Sequence, residues 1–207
     1  MQLPRVVIAI ALTLGAAGDA LAQTSPGAPP ATQPGRGGGG RGRVVRVMSL
    51  TAVGVTDGSA LPTRHSQAGE ELSPPLAWSG APDSTQSFVL IVHDLDAATG
   101  STGTDDVLHW MVWNIPGTAT SLPEGVTHGP QSPNGTRQIS ASGPYYRGPA
   151  APASGPVHHY VFELYALDAM VDVPPVGASP AATRAAVMTA IAGHVRGKGV
   201  MVTLFRR

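Results

Sequence analysis

Glycine and proline decide first what this chain can fold into. With 26 glycines and 20 prolines spread over 207 residues, almost every window long enough for a helix contains a breaker. Proline removes a backbone donor, and glycine costs the most freedom to order. Only one stretch reads as a helix. Ser179 is placed to cap a helix and Pro180 to begin it, and Ala181 to His194 is rich in helix formers, with Val187, Met188, Ile191 and Val195 at core spacing. Gly197 and Gly199 read as its stop. The other apolar runs are short and bounded by turn residues, which predicts strands: Val44 to Val53, the extended piece LSPPLAW ending at Trp78, Phe88 to Val92, Trp110 to Ile115, Tyr160 to Leu167 and Val200 to Phe205. Pro116 to Gly155 reads as loop. The expected fold class is mainly β, a two-sheet antiparallel β-sandwich with one C-terminal helix.

The N-terminus is organised differently. Arg5 precedes an apolar run from Val6 to Ala17, and Ala20-Leu21-Ala22 has the small-x-small form of a signal-peptidase site, so residues 1–22 are expected to be a signal peptide. The run is too short to span a bilayer, and stable membrane insertion is not expected. Residues 23–43, with PGAPP and RGGGGRGR, hold almost nothing able to enter a core and read as a disordered linker ahead of a folded domain at 44–207. A periplasmic or secreted product is the expectation. There is no cysteine, which excludes thiol chemistry, disulfides and a lipidated N-terminal cysteine. Of 13 basic residues, Arg5, Arg36, Arg41 and Arg43 precede Val44, leaving 9 against 12 acidic residues in the expected domain. That balance argues against a nucleic-acid partner, whose affinity rests on neutralising phosphates.

The residues with chemistry collect at strand ends. Asp94 and Asp96 follow the run at Phe88, His109 opens the run at Trp110, and His158, His159 and Tyr160 follow a Gly/Pro-rich turn containing Pro152. Several sites can be built from them. A serine-hydrolase triad lacks a G-x-S-x-G elbow. Asp94, His109 and His158 form a chemically adequate two-histidine, one-carboxylate metal set without metal-binding spacing. Asp94 and Asp96, two apart on an extended chain, would lie too close for an inverting carboxylate pair. An anion pocket fits the donor set: imidazole N–H groups, a tyrosine hydroxyl and a carboxylate that orients an imidazole. His159 is expected to be structural or exposed, Asp105-Asp106 a solvated loop, and His93 stays unassigned between the two faces. His65, His128 and His194 are expected in loops or at a helix end. Glu163 on its strand needs a partner or an edge to solvent.

The motifs LSPPLAWSGAP, HDLDA, LHWMVWNIP, LPEGV and YYRGPAAPASGPVHHYVFELYALD, followed by a terminal helix with GHV, stand in an order that resembles the phosphatidylethanolamine-binding proteins, in their bacterial Raf-kinase-inhibitor-like branch. The resemblance runs from about Val47 to the C-terminus. It implies a β-sandwich with a small pocket for phosphate or phosphorylated head groups, built by Asp94, His109, His158 and Tyr160, with Pro152 as a wall and Asp96 in support. It implies reversible binding, with no catalytic residue, metal or other cofactor, an unknown protein partner, and a homodimer by analogy. His93 stands where a first Asp of DDPDA is usual, Leu95 and Ala98 replace prolines, and GPAAP replaces GPCPP. The competing readings are an Asp/His-based, metal-dependent hydrolase and an inhibitor module acting through the loops from Gly117 to Arg147.

Overall fold

The computed structural model describes residues 44–99, 105–177 and 179–207; the expected signal peptide and linker lie outside them. The strands are β1 (Arg46–Val47), β2 (Ser49–Ala52), β3 (Leu76–Ser79), β4 (Ser87–Thr99), β5 (Asp105–Pro116), β6 (Ser121–Leu122), β7 (Arg137–Ile139) and β8 (His158–Leu167), followed by helix α1 (Pro180–Ile191) and β9 (Val195–Phe205). A six-stranded sheet runs in the order β1-β9-β8-β4-β5-β7, and a three-stranded sheet in the order β2-β3-β6. All pairings are antiparallel except β1 on β9, which is parallel. Among the described residues no helix is long and apolar enough to cross a membrane.

Alternation along the central strands builds two cores. On β4 and β8, Phe88, Leu90, Val92, Phe162 and Leu164 face the smaller sheet, where they meet Leu50, Leu76 and Trp78. Val89, Ile91 and Leu167 face the other way, onto Val187 and Ile191 of α1 and onto Val171 and Val173. The molecule is thus layered as small sheet, large sheet and helix. Both faces of β4 and β8 are buried, which is why these strands read as continuous apolar runs. Each fully buried large side chain contributes about 2 kcal/mol.

Several boundaries differ from the sequence reading. The first expected strand is two: after β1, the chain passes through Met48 to β2 in the other sheet. Gly197 and Gly199 do not stop the helix; they lie within β9. A Cβ on Gly197 would come 2.7 Å from Met48 Sδ, and one on Gly199 3.2 Å from the Met48 carbonyl oxygen. Their missing side chains let the β1–β2 crossing lie flat on the large sheet. The helix instead ends at Ile191, with Gly193 at φ +82° just beyond it. Met188 is partly exposed and Val195 opens β9. The loop expected between Pro116 and Gly155 carries β6 and β7, too short to show periodicity.

The hairpin of β4 and β5 reaches past its apolar runs into the polar segment, and its ladder slips three times. One slip adds Asn114, at φ +57°, whose side chain takes the Val171 N–H and donates to the Val171 carbonyl. A second adds His109 between Leu108 and Trp110, opposite the step from Val92 to His93. A bulge breaks the alternation of faces. It is the reason His109 and Trp110, though consecutive, both leave the helix side.

Candidate functional site

At the end of the large sheet, on the face toward the smaller one, a cavity of about 360 Å³ is lined by Asp94, His109, Arg147, Pro152, His158 and Tyr160, with Gln67 and several alanines completing its wall. Adjacent strands supply the polar groups. Asp94 pairs with Tyr160 across β4 and β8, His158 stands two residues before Tyr160 on the same face, and the bulge brings His109 in from β5.

Each imidazole has one nitrogen committed. His158 Nδ1 donates to Asp94 Oδ2 at 2.9 Å, and Asp94 Oδ1 accepts the Asp96 N–H at 2.9 Å. His109 Nδ1 donates to the Arg147 carbonyl at 2.8 Å. With the tautomers set this way, the nitrogens left for a ligand are both Nε2. The Tyr160 ring packs edge-on to His109, centroids 5.0 Å apart, and lies nearly parallel to His158 at 6.4 Å. The Tyr160 hydroxyl is shielded from solvent and makes no hydrogen bond of ordinary geometry among the described residues, with the Asp94 carboxylate and the backbone N–H groups of Ala150 and Ala151 near it. Burial, with the negative Asp94 beside it, pushes this phenol up, so it stays a neutral donor. Burial also holds His109 below the ordinary imidazole value of 6.5; the Arg147 and Gly148 carbonyls and the Asp94 charge pull against this, and the Arg147 charge adds to it.

The wall opposite the strands is the loop from Arg147 to Pro152, and it is pinned. Gln67 Nε2 donates to the Gly148 carbonyl at 2.7 Å and the Gln67 N–H to the Pro149 carbonyl at 3.0 Å, while the buried Tyr146 hydroxyl donates to the His65 carbonyl at 2.8 Å. Gly148 sits so close to this segment that a Cβ would come 2.8 Å from the His65 carbonyl oxygen.

The structure therefore brings Asp94, His109, His158, Tyr160 and Pro152 to one cavity. Asp96 does not line it: its carboxylate takes the His159 N–H at 2.6 Å and pairs with His159 Nδ1 at 2.8 Å, so it braces the β4–β8 end from outside. His159 is exposed, as expected. Asp94 is turned to His158 rather than converging with both imidazoles on one point, and no group of three or more metal-ligating side chains among the described residues is arranged to hold an ion. Arg147 was missed in the sequence; the signal was available, since it directly precedes the GPAAP turn.

A second polar cluster lies on the opposite face of the same strands. His93 Nδ1 is bonded to Asp106, whose other oxygen pairs with Arg184 of α1, and His93 Nε2 lies 3.5 Å from Glu163, which is also paired with Lys198 and bonded by the Tyr165 hydroxyl. Asp106 is thus not a solvated loop residue; it ties β5 to the helix. Glu163 has found its partners, and His93 belongs to the helix side. His194, left without a role, bonds Asp168 at 2.9 Å, and His65 is buried with Nδ1 on the Leu72 carbonyl. A larger hollow of about 510 Å³ between Val112 and the loops around His128 and Asn134 offers less. Its buried amide, Gln138, already bonds Trp110, Thr127 and Gly129.

Comparison with known proteins gives one answer. The family model described as phosphatidylethanolamine-binding protein matches residues 51–206. A UPF0098 protein of Methanothermobacter thermautotrophicus is 37% identical over 162 residues, 77% of this chain and 99% of that protein. A Mycobacterium tuberculosis protein provisionally named lipoprotein LppC is 32% identical over 151 residues, 72% of this chain and 69% of that protein. The crystal structure of Escherichia coli YbcL, described as a member of the mammalian PEBP family, superposes with a TM-score of 0.63 at 27% identity, covering 77% of this chain and 98% of that one.

Proposed function

The chain belongs to the phosphatidylethanolamine-binding protein family, and on that premise we propose that it is a ligand-binding protein whose cavity holds phosphate or a phosphorylated head group reversibly, without turnover. The observation that carries this reading is the pair of imidazoles lining the cavity, His109 and His158, whose Nδ1 atoms are already committed, beside a buried Tyr160 hydroxyl that makes no ordinary hydrogen bond among the described residues. A buried donor left unpaired costs roughly 1–3 kcal/mol, and a ligand oxygen would recover it.

The bound anion lies between His109 and His158 and takes the Tyr160 O–H. Asp94 holds the His158 ring so that Nε2 faces the anion, and the Arg147 carbonyl does the same for His109. Because each Nδ1 keeps its proton, Nε2 donates only from an imidazolium. Affinity therefore rises as pH falls through the histidine range, and His109, held below 6.5 by burial, supplies its proton late unless the anion itself favours it. Charge-assisted hydrogen bonds in a partly desolvated cavity are the strong kind.

NMR titration of the histidine side chains with phosphate and phosphoethanolamine tests this. Saturable shifts at His109 and His158, lost in Asp94→Ala, are expected; no response to either anion from pH 5 to 8 would sink the reading. The Asp94–His158 pair is also a carboxylate-oriented acid–base group, which favours the hydrolase alternative. Product release from a phosphomonoester, with zinc added, would establish that alternative instead. The apolar run from Val6 to Ala17 and the name of the mycobacterial relative support export. The exported chain should begin at Gln23, as intact mass would read.

A further inference from the structure

We propose that Arg147 gives this cavity its fixed positive charge and so makes phosphate monoesters, as dianions, its preferred ligands. The inference rests on the anion-pocket reading and names the ligand class of that same site.

The guanidinium is available. Arg64, Arg184 and Arg196 have carboxylate partners, and Arg137 and Arg206 donate to backbone carbonyls. Arg147 lines the cavity with no side-chain partner among the described residues. Its backbone, by contrast, is fixed from both sides. Its N–H donates to the His109 carbonyl at 2.9 Å, its carbonyl takes His109 Nδ1, and the next residue, Gly148, is held by Gln67 and by Glu71 Oε1 at 3.1 Å. A long cationic side chain is thereby rooted at the rim with its head unspent.

The charge inventory gives that head its role. The charged or titratable groups lining the cavity are Asp94, His109, Arg147, His158 and Tyr160; Glu71 stands behind the loop, engaged with Gly148. Whenever the imidazoles are neutral, both Nε2 atoms are bare acceptors and Asp94 is negative, a set that repels an anion. Arg147 is the one lining group whose positive charge does not depend on pH, and it is close enough for its charge to act on His109. A guanidinium beside a tyrosine hydroxyl favours a ligand with two negative oxygens over one with a single spread charge, so a monoester or free phosphate is preferred over a phosphodiester.

Calorimetric titrations of the full chain with inorganic phosphate, phosphoethanolamine and the diester glycerophosphoethanolamine, at pH 5.5 and 8, test this in the wild type, Arg147→Gln and Arg147→Lys. At pH 8, Arg147→Gln should weaken phosphate and phosphoethanolamine by at least about tenfold, and the diester by less. Arg147→Lys should stay within about threefold of wild type, and the Gln penalty should shrink at pH 5.5, where imidazolium replaces the lost charge and the ligand, with a second pKa of about 6, has itself become largely a monoanion. Vesicles carrying phosphatidic acid, a lipid monoester, form a parallel arm; an Arg147-dependent loss there assigns the monoester to a lipid, and in the free-ligand arm alone to a soluble compound. Phosphate bound by the wild type and equally well by Arg147→Gln at pH 8 would overturn the Arg147 inference and leave the pocket standing. A wild type that binds no anion at either pH would overturn both.

Discussion

His93 and Asp94 are neighbours on β4 and end up in opposite kinds of site. His93 points to the helix side, where Asp106, Glu163, Arg184, Lys198 and the Tyr165 hydroxyl answer one another's charges across five elements. Asp94 points to the other face, where its partner His158 borders a cavity with a spare Nε2, a tyrosine hydroxyl and a guanidinium that make no ordinary hydrogen bond or ion pair among the described residues. Both clusters contain a histidine bonded to a carboxylate. What separates them is charge pairing: the first pairs its charged groups with one another across the sheet and the helix and acts as a clasp, although His93 Nε2 meets Glu163 as an ion pair and not as a hydrogen bond, while the second leaves polar groups facing a cavity.

The same chemical change in each cluster should break the comparison most sharply. Glu163→Gln removes the carboxylate that faces His93 and Lys198, and should cost about 2 kcal/mol of stability, less than a fully enclosed pair because the site is partly open. Urea unfolding reads this, with phosphate affinity unchanged. Asp94→Asn should do the reverse: a loss of affinity of about tenfold or more as the His158 ring loses its orientation, with stability lowered by no more than about 1 kcal/mol.

The pH dependence of stability sharpens the contrast. Burial works against the charge of His93, but its bonds to Glu163 and Asp106 win and hold it above 6.5. Its stabilisation is therefore complete below 6.5 and lost as pH rises through its folded value. Glu163, held down to about 2 by its bonds to His93, Lys198 and Tyr165 against the cost of burial, contributes fully above its ordinary 4.5 and loses this as the pH falls toward 2. The clasp should thus stabilise most between about 4.5 and 6.5. His93→Gln should flatten the alkaline side of the stability profile measured by urea midpoints across pH, and leave the acidic limb of ligand binding untouched. The smallest effect belongs to Tyr160→Phe. Removing a hydroxyl that makes no ordinary hydrogen bond should change unfolding free energy by less than about 0.5 kcal/mol while weakening phosphate several-fold; a large loss of stability would mean that the hydroxyl is satisfied within the protein.

The cavity cluster was more legible in the sequence than the clasp, and the reason is physical. Asp94, His109, His158 and Tyr160 stand where apolar runs meet turns, so each carries a local signal. The clasp is assembled from residues as far apart as Asp106 and Arg184, 78 positions along the chain, and of them only His93, at the end of an apolar run, and Glu163 break a local pattern. The strand cores were legible for the same reason that they are buried on both faces. The bulge at His109 and the crossing at Met48 were not, because each is fixed by what lies across from it, the extra step on β5 or the glycines of β9.

The irregularity between Asp94 and Ala98 has its own consequence. There β4 advances four residues while β5 advances one, from Val107 to Asp106. That slack separates the register inside Asp94 from the register beyond it. The three extra residues of β4 stand in that step, so a change in their number would alter the entrance while leaving the Asp94–Tyr160 register and the Asp94–His158 pair inside it unmoved. A chain built this way can change what it meets without rebuilding what it holds.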